Sequence, residues 1–177
     1  LAVAAVSMAT GMFDDDDLPH PDAWDPRVAP LADFVEKARG LEFDHPVFVD
    51  FLLPEDYTND VTTKPEELDD DGRDGLDRLA GHLRALGLAS GELDLFDDIN
   101  TVTDGGTLAF YRPEDGRIRV RGTEVSVGLR VTLVHELTHA LQDQHVDLAE
   151  LVNDDLDDGE SEAHRALVEG DALRIED

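Results

Sequence analysis

His135 and His139 stand four residues apart with Glu136 between them, in the stretch Leu133-Val134-His135-Glu136-Leu137-Thr138-His139-Ala140-Leu141. On a helix that spacing puts both imidazoles on one face, one turn apart. The flanking residues demand the same geometry. Leu129, Leu133, Leu137 and Leu141 recur every four residues, with Val134 and Ala140 beside them, which predicts an amphipathic helix over 124–145. Two imidazoles set in such a leucine stripe are costly to bury unless they are given partners.

The spacing supplies a partner chemistry. Two neutral imidazoles one turn apart bind one zinc ion, and Glu136 between them lies close to a water on the same metal. A catalytic zinc takes three protein ligands and a water, so a third ligand must come from elsewhere. Two candidates stand out. Glu169 lies thirty residues after His139 in Leu167-Val168-Glu169-Gly170-Asp171-Ala172, on a second predicted helix over 161–175. Ala163, Ala166 and Gly170 form a small-residue stripe there, which predicts a close approach between the two helices. Glu162, two turns earlier, is the reserve. His145 is the rival, at the spacing of the three-histidine zinc peptidases. That pattern needs a glycine three residues after the second histidine, where this chain has Gln142, a residue that favours helix continuation. Glu169 is preferred to His145 on that ground. His20, His45 and His82 have no partners at ligand spacing.

The rest of the chain reads as alternating helices and short strands. Asp25-Pro26 predicts a helix start, with Pro30 delaying it by a turn and Gly40 stopping it. Residues 47–53 read as a strand between Pro46 and Pro54, and 65–86 as a helix with weak points at Gly72 and Gly75. Residues 93–99 are ambiguous. Pro113-Glu114-Asp115-Gly116 predicts a hairpin turn between strands 107–112 and 117–121. Ile118 and Val120 alternate with Arg117, Arg119 and Arg121, so one face is buried and the arginines read as an ordinary solvated face. This hairpin offers a sheet edge to an extended substrate. Residues 153–160 imitate a calcium loop, but Leu156 stands where an oxygen ligand is needed, and the site is rejected.

Composition narrows the partners. The 177 residues carry 43 acidic and 14 basic side chains, a formal charge of −29, with only Lys37 and Lys64 as lysines. Such a charge repels nucleic acid and strains the compact state unless salt screens it, which reads as a halophile's protein. The absence of cysteine excludes disulfides and thiolate metal sites. Residues 1–13 are apolar with small residues and read as part of a signal or membrane-anchor segment, with the chain's start expected to lie further upstream. Residues 14–25, with four consecutive aspartates and two prolines, read as an acidic linker. Residues 26–177 are expected to form the folded domain, which is expected to continue past the last residue.

The motif His135-Glu136-Leu137-Thr138-His139 with Glu169-Gly170-Asp171-Ala172 resembles the gluzincin branch of the zincin metallopeptidases. Together with the acidity and the apolar N-terminus, it also resembles an uncharacterised surface-protein family of halophilic archaea. The resemblance covers roughly residues 117–175. It implies an α+β, zincin-like fold: a small twisted sheet with a β-hairpin packed on the active-site helix, followed by a helix bearing the third ligand. It implies one Zn2+ per chain held by His135, His139 and Glu169, Glu136 as general base and acid, a peptide or protein substrate, and a place outside the cell or at its surface. Leu173 stands where the thermolysin-like pattern has an aspartate, which leaves the histidines' outer partners unassigned. His164 and Tyr111 are candidates for stabilising the oxyanion. The alternative reading is a zinc-binding envelope protein without catalysis. Because the acidity is spread along the chain, helicity is expected to fall sharply when salt is dialysed away; circular dichroism that stays constant would count against the halophile reading.

Overall fold

Alternation along one short strand organises the sheet. Ile118 and Val120 of β3 (Arg117–Arg121) are fully buried. β3 pairs in parallel with β1 (Phe48–Leu52) and antiparallel with β2 (Ala109–Arg112), giving the order β1-β3-β2. The structure is a computed structural model and describes residues 18–151 and 158–176. The segments 1–13 and 14–17 and most of the rejected calcium loop lie outside the described residues. The hairpin turn is a 3-10 turn over Pro113–Asp115 closed by Gly116 at φ 63, a left-handed conformation that side chains with a Cβ rarely adopt. The register sets Val49 and Tyr111 beside Ile118, and Phe51 and Ala109 beside Val120, so one face of all three strands joins the core.

The arginine face differs from the solvated face expected. Arg117 donates two hydrogen bonds to Asp50, at 2.7 and 2.9 Å, and stacks 4.2 Å from the Phe48 ring centre. Arg119 pairs with Asp115 and is only 11% exposed. Because β3 is paired on both sides, its residues 117–121 cannot offer a sheet edge; the outer strand of the hairpin is β2.

The described residues group into two compact units, those of 18–53 with those of 108–176, and Pro54–Thr107; four α-helices belong to the unit that holds the sheet. In the first, α1 (Ala29–Arg39) begins one turn after Asp25-Pro26. The Asp25 carbonyl accepts from the Val28 and Ala29 N–H groups, and regular helix starts only then, with Pro30 in its first turn. Gly40 ends it at φ 74. The long helix α5 (Val127–Asp143) is capped by Ser126, whose hydroxyl accepts from Leu129 N. Leu133, Leu137 and Leu141 are fully buried, and the stripe packs on β2, β3 and α1. Buried Thr138 satisfies its hydroxyl within the helix by donating to Val134 O. The helix stops at Asp143, two residues short of the predicted end. The Asp143 carboxylate turns to accept from Leu148 N and the Tyr111 hydroxyl, which draws the chain into α6 (Leu148–Leu151).

The last helix, α7 (Asp158–Glu176), packs against α5. Its buried residues are Ala172 and Ile175, which fall at helical spacing, with Val168 half-buried one turn earlier. Ala163, Ala166 and Gly170 are all exposed, so the small-residue stripe faces away and does not mediate the approach. Ile175 outcompetes it, because burying that larger side chain removes more apolar surface from water.

The second unit holds three helices, α2 (Pro54–Val61), α3 (Asp70–Ala85) and α4 (Leu95–Gly106). Pro54 at the start of α2, followed by Glu55 and Asp56, suits a helix N-terminus. Asp69 caps α3 by accepting from Gly72 N, so the helix starts later than the predicted 65, and Gly75 does not break it. The ambiguous segment is helical, capped by Asp94. Asn100 ties α4 to Thr63, accepting from its N–H and donating to its carbonyl, and Thr58 donates to Asp104.

The fold is therefore α+β, with seven α-helices and a three-stranded sheet among the described residues. No helix among them is long and apolar enough to cross a membrane. Leu137 lies at the centre of the α5 interface, so Leu137→Ala is expected to cost about 2–5 kcal/mol in denaturant unfolding. Leu173→Ala, on the half-exposed face of α7, is expected to change stability by no more than about 0.5 kcal/mol.

Candidate metal centre

The packing of α7 on α5 brings three donor side chains together. His135 Nε2 and His139 Nε2 lie 3.0 Å apart, and Glu169 Oε2 lies 3.3 Å from the first and 3.8 Å from the second. Among the described residues this is the one histidine and carboxylate group spaced to hold a metal ion. Zinc bonds of about 2.0–2.2 Å in a tetrahedron require donor atoms about 3.3–3.5 Å from one another. The three separations bracket that edge length, and the donor set is one that zinc accepts. The imidazoles are mostly covered, at 16% and 12% exposure, while Glu169 is 52% exposed, so the group opens to solvent on the α7 side.

The far nitrogens of both rings are also engaged. His135 Nδ1 lies 3.2 Å from Glu176 Oε2, two turns after Glu169 on α7. His139 Nδ1 lies 2.9 Å from Gln142 Oε1. Gln142 Nε2 donates to Val168 O at 3.1 Å and to Asp171 Oδ2 at 3.0 Å. These are the outer partners left unassigned from the sequence. Gln142, expected only to prolong α5, bridges it to α7.

Glu136 follows His135 and is half-buried. Its Oε2 accepts from the Tyr111 backbone N–H at 2.7 Å. Burial pushes its pKa up to about 7; the charges of Glu169 and Glu176 push the same way, against His135 and the Tyr111 N–H. The other groups shift in accord. Burial works against a charged His135, but its hydrogen bond with Glu169 and the charges of Glu136, Glu169 and Glu176 outweigh it and raise the pKa. Burial, reinforced by the charge on His135, lowers that of His139. The hydrogen bond from His135 lowers Glu169 despite its partial burial. Asp171 is lowered too, because bonds from Gln142, Arg39 and Arg174 together exceed the effect of burial.

The remaining candidates lie elsewhere. His145 falls beyond the end of α5, and its Nε2 bonds to the Glu42 carbonyl at 3.0 Å. What takes it from the centre is the turn after Asp143, not the helix continuation expected from Gln142. Glu162 is exposed on α7 and outside the donor group. The Tyr111 hydroxyl donates to Asp143 Oδ2 at 2.7 Å; its backbone N–H is the part that meets Glu136. His164 Nδ1 donates to Leu151 O at 2.7 Å. Sequence reasoning passed over Arg165, four residues before Glu169 on α7. Its charge helps to lower Glu169, and its Nε is buried without a hydrogen-bond partner. The opposite charge one helical turn away was the available signal.

No protein-family model matches the chain, and no curated protein or solved structure matches it either.

The raised His135 pKa gives binding a sign. A protonated ring must lose its proton before Nε2 can offer a lone pair, so metal competes with protons at this ring. Zinc affinity measured by chelator competition is expected to weaken as pH falls from about 8 to about 6, with proton release on binding. An affinity constant across that range would remove His135 from the ligand set.

Proposed function

We propose that the chain is a zinc-dependent peptide-bond hydrolase of a halophile, acting on peptides or proteins outside the cell or at its surface, and that its sheet, α5 and α7 form a zincin-like arrangement. The observation that carries this reading is the convergence of His135, His139 and Glu169 at tetrahedral donor spacing, beside a glutamate whose pKa lies near 7. Two features support the finer fold assignment. The hairpin packs on the helix that bears the two histidines, and the third donor arrives on the helix packed next to it.

Zinc held by these three side chains would supply a Lewis acid that lowers the pKa of a bound water and polarises a scissile carbonyl. The chain's own groups would manage the protons. Glu136 Oε2 is held by the Tyr111 N–H, which leaves Oε1 to take a proton from the attacking water. The same carboxyl, once protonated, could give that proton to the leaving amine. Glu176 and Gln142 hold the two rings from behind, so the donor atoms keep their places while Glu136 cycles.

Glu136→Gln tests the reading. In high salt, hydrolysis of a peptide pool is expected to fall about 10²–10⁴-fold while bound zinc stays at about one per chain. Wild-type protein that holds zinc and cleaves nothing would instead assign the site to a zinc-binding surface protein without catalysis.

A further inference from the structure

Gln142 joins three helices through one amide. Its nitrogen lies 3.1 Å from the Val168 carbonyl oxygen, and that oxygen can only accept a hydrogen bond. The same nitrogen donates at 3.0 Å to Asp171 Oδ2, which already accepts from Arg39 Nε of α1 at 2.7 Å. The nitrogen end of the amide must therefore face α7. The oxygen end then faces His139 Nδ1 at 2.9 Å, where it too can only accept. The proton of His139 consequently sits on Nδ1, and Nε2 presents its lone pair toward His135 and Glu169.

We infer that Arg39, Asp171 and Gln142 form a directional hydrogen-bond relay that fixes His139 in its Nδ1–H tautomer, making Gln142 the positioning residue that prepares this ring for zinc before metal arrives. The inference rests on the zinc reading of the site and adds to it the residue that decides how the second histidine binds. His135 receives the same service from Glu176 directly. At His139 a carboxylate in place of Gln142 would face Asp171, so the position calls for a side chain with a donor at one end and an acceptor at the other. Among the side chains of this length only glutamine offers both. The relay also ties α1 to the site through Arg39, whose side chain is 34% exposed, against 21% for Asp171.

Removing the amide from the relay provides the test. Gln142→Met is expected to weaken zinc binding about 10–100-fold by chelator competition, with the helical content of the metal-free protein unchanged. Gln142→Glu is expected to weaken it at least as much, because the new carboxylate faces Asp171. In the metal-free Gln142→Met protein, proton–nitrogen NMR is expected to show His139 no longer confined to the Nδ1–H form, a change that a purely structural role for Gln142 does not predict. In the zinc-free wild type, long-range proton–nitrogen NMR correlations are expected to show His139 protonated on Nδ1. Protonation on Nε2 alone would overturn the relay even if the variants fail to fold, as would a folded Gln142→Met that binds zinc like wild type. A wild type that takes up no zinc would sink the metal reading instead, and the tautomer measurement would still decide the relay.

Discussion

Ala172 and Ile175 are buried where α7 packs on α5, and apolar burial fixes how close the helices come but not how they are rotated. Apolar attraction is non-directional, so a helix can roll or slide on it at little cost. The hydrogen bonds from Gln142 to Val168 O and Asp171 supply the missing direction. They set the rotation of α7, and with it the positions of Glu169 and Glu176 beside the two imidazoles. A roll of one residue, about 100°, would carry both glutamates off the histidines together, since they lie two turns apart on one face. The site thus depends on a polar contact at the margin of an apolar interface.

That rotation gathers three carboxylates, Glu136, Glu169 and Glu176, around two imidazoles in a chain that is already strongly acidic. Like charges at about 4 Å repel by about 4 kcal/mol at an effective dielectric near 20, so such a cluster needs positive charge to persist. The raised pKa of His135 and the Arg165 charge acting on Glu169 provide part of it. A divalent cation among the donors would provide more, and with better geometry, because it meets each lone pair directly. Arg117 and Arg119 are engaged by Asp50 and Asp115 on the sheet.

The parts legible in the sequence are those governed by local periodicity or backbone sterics. The four-residue histidine spacing places two rings on one helix face whatever surrounds it, and the alternation at Ile118 and Val120 identifies the buried side of β3. Gly116 marks the hairpin turn by its left-handed backbone. Other features depended on tertiary competition. The small stripe on α7 has the spacing of an approach surface, but Ala172 and Ile175 are the residues that α7 buries. Gln142 was read by its helix propensity, a weak local property, when its role is a bond to another helix. Glu176 gave no usable signal: with 43 acidic residues in the chain, an acid two turns beyond another is expected by composition alone. The helix α4 was obscured because its C-terminal half contains Thr101, Val102, Thr103 and two glycines, which have low helix propensity, while its Asp94 cap is a single residue in an acidic background.

Tyr111 links the sheet to the centre in two ways, and the consequence reaches the chemistry. Its hydroxyl bonds to Asp143, where α5 ends, and its backbone N–H bonds to Glu136, nearly two turns earlier on the same helix. Arg121 N donates to Leu108 O, so the even-numbered residues of β2 bond to β3 and the Tyr111 backbone N–H points away from β3. At that position the N–H is already taken by Glu136. A carboxylate accepts a hydrogen bond more strongly than a carboxylic acid does, so each proton that Glu136 takes up weakens its hold on this N–H. Protonation of Glu136 and release of this backbone N–H are then two sides of one equilibrium.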